Sequence, residues 1–283
     1  SFVSRGLGDV YKRQVLIDST AFDDSSSNSY AGISSTTALS FTTVDTTAPT
    51  LSSSSPADDA TSVAVDTNIV LTFSETVDTE SGNITIKKTS DNSTVETISV
   101  TSNKVTGNGF AVLGGGANGT VITINPASNF DGSTEYYVLI DATAFDDSSN
   151  NSYAGISSTT ALSFTTVDTT APTLSSSSPA DNATNVAVDA NIVLNFSETV
   201  DTESGYITIK KTSDDSTVET IGVTSNQVTG NGFVPMGGGA NGTVITINPA
   251  SNFDGSTEYY VLIDSTAFDD SSNNSYAGIS STT

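Results

Sequence analysis

The 283-residue sequence contains no cysteine, no histidine and no tryptophan. Without cysteine it can form neither disulfides nor thiolate sites for soft metals. Without histidine it lacks the usual general base near neutral pH and the commonest zinc ligand. A serine or threonine nucleophile would have no histidine or suitably placed lysine to activate it. We therefore predict that the chain is not an enzyme.

Basic residues are also scarce. Eight Lys and Arg stand against 32 Asp and Glu, which gives a formal net charge of −24 and a pI near 4.1. Charge of this sign repels nucleic acid and anionic lipid, so we expect neither as a partner. No run of about 18 apolar residues occurs, so we expect no membrane insertion by this sequence. The many carboxylates instead offer oxygen ligands to hard cations.

What the sequence does contain is an internal repeat. The segment Asp45–Leu51 recurs as Asp168–Leu174, an offset of 123 that needs no insertion anywhere. Residues 45–160 differ from residues 168–283 at only twelve of 116 positions. A period of this length is too long for a solenoid turn, and it fits separate domains joined like beads on a string.

The same offset carries Val15–Val44 onto Val138–Val167. We therefore divide the chain into four parts. These are a leader that matches nothing downstream and is interpreted as non-native (1–14), the C-terminal remnant of a repeat (15–44), a complete repeat (45–167) and a repeat that lacks its last strand (168–283).

Hydrophobic residues alternate with polar ones in short segments bounded by turn residues, which is the pattern of β-strands. In Ile69–Phe73, every second side chain falls on one face. The alternation recurs at Ile84–Ile86, Ile98–Val100, Ile122–Ile124, Tyr136–Ile140 and Leu162–Phe164. These spacings predict an all-β fold of tandem immunoglobulin-like β-sandwich domains, with about seven strands each.

Aromatic residues near the last strands have predicted structural roles. Tyr136 begins the sixth predicted strand, where a tyrosine corner would bond its hydroxyl to nearby backbone, and Tyr259 is its copy. Phe145 and Tyr153 are predicted to anchor their loop against the sandwich.

Several segments in order resemble a known family. Ala48–Ala57, Ile69–Glu75, Ser133–Val138 and Phe145–Asn151 are similar to the bacterial Ig-like domains of the S-layer (SbsA) type. The resemblance covers residues 15–283. It implies a spacer role in an extracellular or cell-surface protein, such as an S-layer protein, an adhesin or a multidomain surface enzyme. We therefore expect a stalk region whose partners are the neighbouring repeats of its own chain.

Acidic side chains follow the second predicted strand and precede the last one, and in immunoglobulin topology these two loops share one end of the sandwich, beside the incoming linker. Carboxylates from several loops can supply the six to eight oxygens that Ca²⁺ prefers. The predicted ligands are Asp45, Glu75, Asp78, Asp146 and Asp147, with Glu80 nearby, and Asp168, Glu198, Asp201, Asp269 and Asp270 in the next repeat. The alternative is a solvated acidic surface without a bound ion.

Two further functions remain open. The only consecutive changes between the repeats replace Ala111–Leu113 by Val234–Met236, and a variable loop of this kind is a candidate for recognising a surface glycan or protein. A carboxylate pair such as Glu75 with Asp146 could in principle hydrolyse glycosides, but the sequence has no tryptophan to stack a sugar. The Gly-rich segment Gly114–Gly119 precedes a strand instead of a helix, which favours a turn over a phosphate loop.

Overall fold

The structure is a computed structural model that describes residues 12–109, 116–232 and 239–281. Within these ranges the chain forms β-strands and no α-helix, so the all-β prediction is confirmed. Nothing in the described part forms a helix long and apolar enough to cross a membrane. The chain divides into two compact units, Ser1–Thr166 and Val167–Thr283.

One short strand pair joins the end of the segment interpreted as a non-native leader (1–14) to the remnant (15–44). Strands β1 (Lys12–Gln14) and β2 (Ser40–Thr42) pair antiparallel, with Arg13 opposite Phe41. Isolated bridges join Ile17 to Ile33 and Asp23 to Ser29 between these strands. The remnant is therefore a long hairpin that keeps the last pairing of a repeat.

The complete repeat contains ten strands in two five-stranded sheets. They are β3 (Leu51–Ser55), β4 (Ala60–Val63), β5 (Ile69–Thr79), β6 (Asn83–Lys88), β7 (Thr94–Ser99), β8 (Val105–Gly107), β9 (Asn118–Ile124), β10 (Glu135–Ile140), β11 (Phe145–Asp146) and β12 (Ser163–Thr166). One sheet has the order β4-β12-β10-β6-β7, and the other has the order β11-β5-β9-β8, with β3 also paired to β5. Strands β12 and β4 run parallel, and the other pairs are antiparallel.

In the described residues, the second repeat keeps the strand order of the first, and no strand forms at residues 183–186, which correspond to β4. Its strands are β13 (Leu174–Ser178), β14 (Ile192–Thr202), β15 (Tyr206–Lys211), β16 (Thr217–Gly222), β17 (Val228–Gly230), β18 (Asn241–Ile247), β19 (Tyr259–Ile263) and β20 (Phe268–Asp269). One sheet still has five strands, whereas the other has only three, in the order β16-β15-β19.

Side chains from both sheets form one core in each repeat. In the complete repeat, Leu71 and Ile122 from one sheet and Ile84 and Val138 from the other have no exposed surface. The second repeat has its own core of corresponding residues, and across the described ranges the two cores share no residue. Burying one aliphatic side chain of this size stabilises a fold by about 1.5–3 kcal/mol.

Substitutions between the repeats fall on the outer faces of strands, as the alternation predicts. Asn83 and Ser99 are exposed, and Thr72 is only partly buried. Tyr206, which replaces Asn83 in the second repeat, is 55% exposed. The cores of the two repeats are therefore built from the same residues.

The predicted aromatic roles are confirmed. The Tyr136 hydroxyl accepts a hydrogen bond from the backbone N–H of Asp131 at 2.8 Å, which completes a tyrosine corner. The ring of Phe73 lies 5.3 Å from that of Phe145 and 5.2 Å from that of Tyr153. These contacts tie the segment around β11 to the core, and they position the acidic residues that follow.

The structure differs from the sequence prediction in its short strands. Strands β4, β8 and β11 were not predicted, and they are four, three and two residues long. Asn118 and Gly119 belong to β9, where a turn before the strand was predicted. The variable segments Ala111–Leu113 and Val234–Met236 lie outside the described residues.

Candidate metal centre

The loop after β11 is fixed by its own side chains. Asp147 Oδ1 accepts hydrogen bonds from the backbone N–H groups of Ser149 and Asn151, both at 2.8 Å, and Asp147 Oδ2 accepts from Asn151 Nδ2 at 2.8 Å. Asn150 has a φ of 64°, a conformation that asparagine tolerates better than most residues. The Asn151 amide also donates to the backbone oxygen of Asp45 at 3.3 Å. The loop therefore holds the first residue of the repeat beside Asp147.

One group of carboxylates forms where this loop meets the start of the repeat. We call Asp45, Glu75 and Asp147 the linker cluster. Each offers one carboxylate oxygen, and the three oxygens lie within 4.8 Å of one another. Asp147 is only 4% exposed, and the other two residues are partly buried. The second repeat forms the same cluster from Asp168, Glu198 and Asp270.

A second group forms across the β5–β11 strand pair. We call Asp78, Glu80 and Asp146 the strand cluster, and its three carboxylate oxygens also lie within 4.8 Å of one another. Asp146 lies directly opposite Asp78 in the antiparallel register, an arrangement of like charges that destabilises a sheet. Glu80 lies two positions beyond Asp78 and so falls on the same side. The second repeat repeats the cluster with Asp201, Glu203 and Asp269.

Asp146 is the most unusual member of the strand cluster. It is 8% exposed, and its carboxylate lies beside those of Asp78 and Glu80. Burial, a hydrogen bond shared with Asp78 and the charges of Glu80, Asp78 and Asp147 raise the pKa of Asp146 to about 6. The same causes raise the pKa of Asp269 to about 6. In the absence of a cation, these sites therefore retain a proton well above the usual range.

Asp147 shows the opposite behaviour one residue further on. Its burial opposes ionisation, but the hydrogen bonds from Asn151 and Ser149 outweigh burial and hold the pKa of Asp147 below its ordinary value. In the second repeat, burial and the charges of Asp168 and Asp270 raise the pKa of Glu198. The linker cluster of the second repeat therefore combines Asp270, whose pKa its loop hydrogen bonds lower, with Glu198, whose pKa burial and the neighbouring charges raise.

The dimensions of both clusters fit calcium. Ca²⁺–oxygen distances of about 2.4 Å place two oxygens on opposite sides of the ion about 4.8 Å apart, and the oxygens of each cluster span no more than that. Three carboxylate oxygens this close together can share one Ca²⁺. The donors are all oxygens, which disfavours softer metals.

Lysine does not neutralise the strand clusters within the described ranges. The ion pairs of the described ranges join Lys88 to Asp131 at 2.6 Å, Lys211 to Asp254 at 2.7 Å, and Lys104 to Glu96. None of these acidic partners belongs to a cluster. In the described ranges, the carboxylates of each strand cluster therefore face one another without a basic side chain paired to them.

The structure brings together every predicted site residue, but in two sets where the sequence suggested one. Strand alternation places Glu75 and Asp78 on opposite sides of β5, and Asp146 and Asp147 diverge in the same way. This alternation of side chains can be read from the sequence, and it would have separated the two sets. The offset of 123 would likewise have added Glu203, the copy of Glu80. Calcium binding itself stays a prediction.

Two sheets around one core, together with the tyrosine corner, define an immunoglobulin-like sandwich in each repeat. A family model described as a bacterial Ig-like domain matches residues 45–166 and again residues 168–283. The chain therefore belongs to the bacterial Ig-like domain family, whose members usually occur in surface or extracellular proteins. No curated protein matches the chain.

Proposed function

We propose that this chain is a spacer region of a secreted or cell-surface bacterial protein, of the stalk kind found in S-layer proteins and adhesins. The observation that carries the proposal is that each repeat encloses its own core. Domains that share no interior can be added in series without changing the fold of their neighbours. The function of the repeats is then to extend and stiffen the protein that carries them, and no residue has to be catalytic.

The charge of the chain supports the same proposal. Near-identical neighbouring domains are prone to misassembly and domain swapping during folding. A net charge of −24 keeps such domains soluble and opposes their association. An acidic surface therefore suits an array of repeats that differ at only twelve of 116 aligned positions.

We also propose that Ca²⁺ binds both clusters of each repeat. Asp45 precedes the first strand, and Asp147 lies in the last loop, so an ion held between them would fix the entry of the chain into the domain. In the strand cluster, an ion would replace the proton that Asp146 otherwise retains, and it would offset the repulsion across the strand pair. Calcium would then stiffen the spacer without changing its fold.

The spacer proposal is tested by counting repeats. Chains with one, two and three copies of residues 45–167 should show a maximum dimension in small-angle X-ray scattering that grows by a constant increment of about 40 Å, since strands of six to eight residues rise about 3.3 Å per residue and the end loops add the rest. Each added copy should leave the melting temperature of the others unchanged. A dimension that stays constant as copies are added would refute the spacer role.

The calcium proposal is tested by isothermal titration calorimetry and thermal melting. Ca²⁺ should release heat and raise the melting temperature, and a chelator should reverse the shift. The variant with Asp147→Asn and Asp270→Asn keeps the loop acceptor but removes one charge from each linker cluster, and it should bind more weakly. The matched control with Asp66→Asn and Asp189→Asn removes the same charge from exposed sites and should bind normally. No heat and no change in melting would end the proposal.

Recognition of a glycan or protein is the second candidate, because the only consecutive differences between the repeats lie at Ala111–Leu113. A glycan array probed with each repeat would show a ligand class that depends on this segment. Exchange of Ala111–Leu113 for Val234–Met236 should then exchange the specificity. If neither repeat binds any glycan on the array, the recognition proposal fails and the spacer role remains.

A further inference from the structure

Two of the differences between the repeats lie directly opposite each other on one sheet. Asn83 on β6 pairs with Ser99 on β7, and the same positions on β15 and β16 hold Tyr206 and Gly222. An aromatic ring opposite a residue without a side chain therefore replaces a pair of small polar residues. Asn83 and Ser99 are exposed and Tyr206 is 55% exposed, so this part of the outer face is open to solvent in both repeats.

The polar pair of the complete repeat makes local contacts that the aromatic pair gives up. Ser99 Oγ forms a hydrogen bond with Thr101 Oγ1 at 3.0 Å and accepts from the Thr101 N–H at 3.4 Å. The Asn83 amide donates to Asp141 Oδ2 at 3.5 Å. A glycine and a tyrosine at these two positions have neither the hydroxyl nor the amide that these contacts use. The exchange therefore removes hydrogen bonds from the surface of the sheet.

The backbone of the second repeat does not require a glycine opposite the ring. The φ of Gly222 lies outside the left-handed region, and a Cβ added there would meet no atom within 4 Å. An aromatic ring that covered the glycine to shield its strand would lie within reach of that Cβ. The Tyr206 ring therefore does not pack over Gly222, and open space remains beside it.

The fold holds Tyr206 in place and surrounds it with polar groups. Its N–H donates to Asp264 Oδ2 at 2.9 Å, and its carbonyl oxygen accepts from the Asp264 N–H at 3.1 Å. A Cβ added to the preceding residue, Gly205, would lie 2.9 Å from Thr266 Oγ1 and 3.1 Å from Asp264 Oδ2, and both of these residues are exposed. An exposed ring thus lies beside a carboxylate, a hydroxyl and an empty strand position. We call Tyr206, Gly222, Asp264 and Thr266 the Tyr206 patch.

We infer that the Tyr206 patch binds an uncharged polysaccharide built of pyranose rings. The C–H face of a pyranose is apolar and stacks on an exposed aromatic ring, and tyrosine provides such a surface at a low cost in conformational entropy. Sugar hydroxyls can donate to the Asp264 carboxylate and exchange hydrogen bonds with the Thr266 hydroxyl. The missing side chain at Gly222 lets the sugar approach the ring without a steric obstacle. The net charge of −24 opposes polysaccharides that carry carboxylate or sulfate groups.

The inference adds a ligand to the spacer and depends on neither the calcium clusters nor the variable segment Ala111–Leu113. It assigns the binding to the repeat that carries the ring, since the complete repeat has Asn83 in that place. One ring contact alone is weak. A polysaccharide presents the same unit many times, so chains that carry several such patches gain avidity without any new contact.

Affinity gel electrophoresis tests the inference on the full chain. Native gels with chelator contain mixed-linkage β-glucan, xyloglucan, galactomannan or dextran as uncharged probes, alginate as the anionic probe and glycol chitosan as the cationic probe. At least one uncharged probe should retard the chain, and alginate should not. Tyr206→Asn should raise the Kd for that probe about tenfold, because it removes one ring contact. Tyr206→Phe keeps the ring and should retain the retardation.

Two further variants separate the Tyr206 patch from other surfaces. Val218→Asn removes an exposed apolar side chain from the same strand, and it should leave retardation unchanged. Asn83→Tyr combined with Ser99→Gly copies the ring and the glycine into the complete repeat, and it should increase retardation. Thermal melting confirms that each variant is folded.

Three outcomes would overturn the inference. The first is that no uncharged probe retards the chain. The second is that Tyr206→Asn is retarded as strongly as the unaltered chain, which would place binding on another surface. The third is retardation by glycol chitosan alone, which would make attraction between opposite charges the cause instead of stacking on the ring.

Discussion

Replacing Asp146 and Asp269 with asparagine should stabilise the protein when no cation is present. Each residue lies opposite another aspartate across a strand pair, and each belongs to a cluster of three carboxylates. Asparagine has nearly the same shape, carries no charge, and has an amide that can donate to the facing carboxylate. The double variant therefore removes the repulsion and offers the facing aspartate an amide donor in both repeats.

The magnitude follows from the pKa. The fold raises the pKa of Asp146 from 3.8 to about 6, and one pKa unit corresponds to about 1.4 kcal/mol. Ionising Asp146 at pH 7 therefore reduces the stability of the complete repeat by about 3 kcal/mol, and the isosteric variant should recover about 2 kcal/mol of it. For a domain of this size, that corresponds to a rise in melting temperature of about 6–10 °C.

The raised pKa of Asp146 determines whether the wild type gains or loses stability as the pH rises. Between about pH 4 and pH 6, folded Asp146 keeps a proton that the unfolded chain has released, so this group makes the wild type less stable as the pH rises through that window. The difference in melting temperature between variant and wild type should be small at pH 4 and complete above pH 6. Calorimetry in chelator measures it, and the same variant in excess Ca²⁺ should lose its advantage.

Two results would refute this reasoning. A variant that is less stable than the wild type in chelator at pH 7 would show that the carboxylates are not in conflict. A difference that does not change between pH 4 and pH 7 would show that ionisation is not its cause. The exposed control, Asp66→Asn with Asp189→Asn, corrects for the general effect of removing two negative charges.

Three further outcomes are expected. Phe164→Ala should destabilise the complete repeat by about 3–5 kcal/mol and leave the second repeat unchanged, so that calorimetry resolves two transitions. Tyr136→Phe removes the acceptor for the Asp131 N–H and should lower the free energy of unfolding by about 1 kcal/mol, measured by urea denaturation. Titration calorimetry of the whole chain should saturate at four Ca²⁺ ions, one for each carboxylate cluster.

The core could be predicted from the sequence because strand alternation is a local rule. Leu71 and Ile84 follow from period-two patterns within five or six residues, and both are fully buried. The tyrosine corner was predictable for a similar reason, since Tyr136 bonds to a backbone group only five residues away. In these cases the interacting groups are close in the chain, or the pattern repeats within one strand.

The strand cluster could not be predicted in the same way. Asp78 and Asp146 are 68 positions apart, and only the register of β5 with β11 places them opposite each other. Strand β4 also depends on a distant partner, since Ala60 pairs with Phe164, 104 positions further along the chain. Pairing register is set by the assembled sheet, and local sequence constrains it only weakly.

The acidic loop forms from local sequence alone, whereas the carboxylate clusters around it require the assembled sheet. In the remnant, Asp24 accepts hydrogen bonds from the N–H groups of Ser26 and Asn28 at 2.8 Å, as Asp147 does in the complete repeat, although Asp24 lies on an exposed hairpin. The Asn28 side chain and these N–H groups lower the pKa of Asp24. A few residues therefore suffice to build the loop and to keep its carboxylate ionised. The carboxylates that complete each cluster come in part from β5 and its counterpart β14, so the loop alone is an ordered turn, and a carboxylate cluster forms only where a sheet has formed beside it.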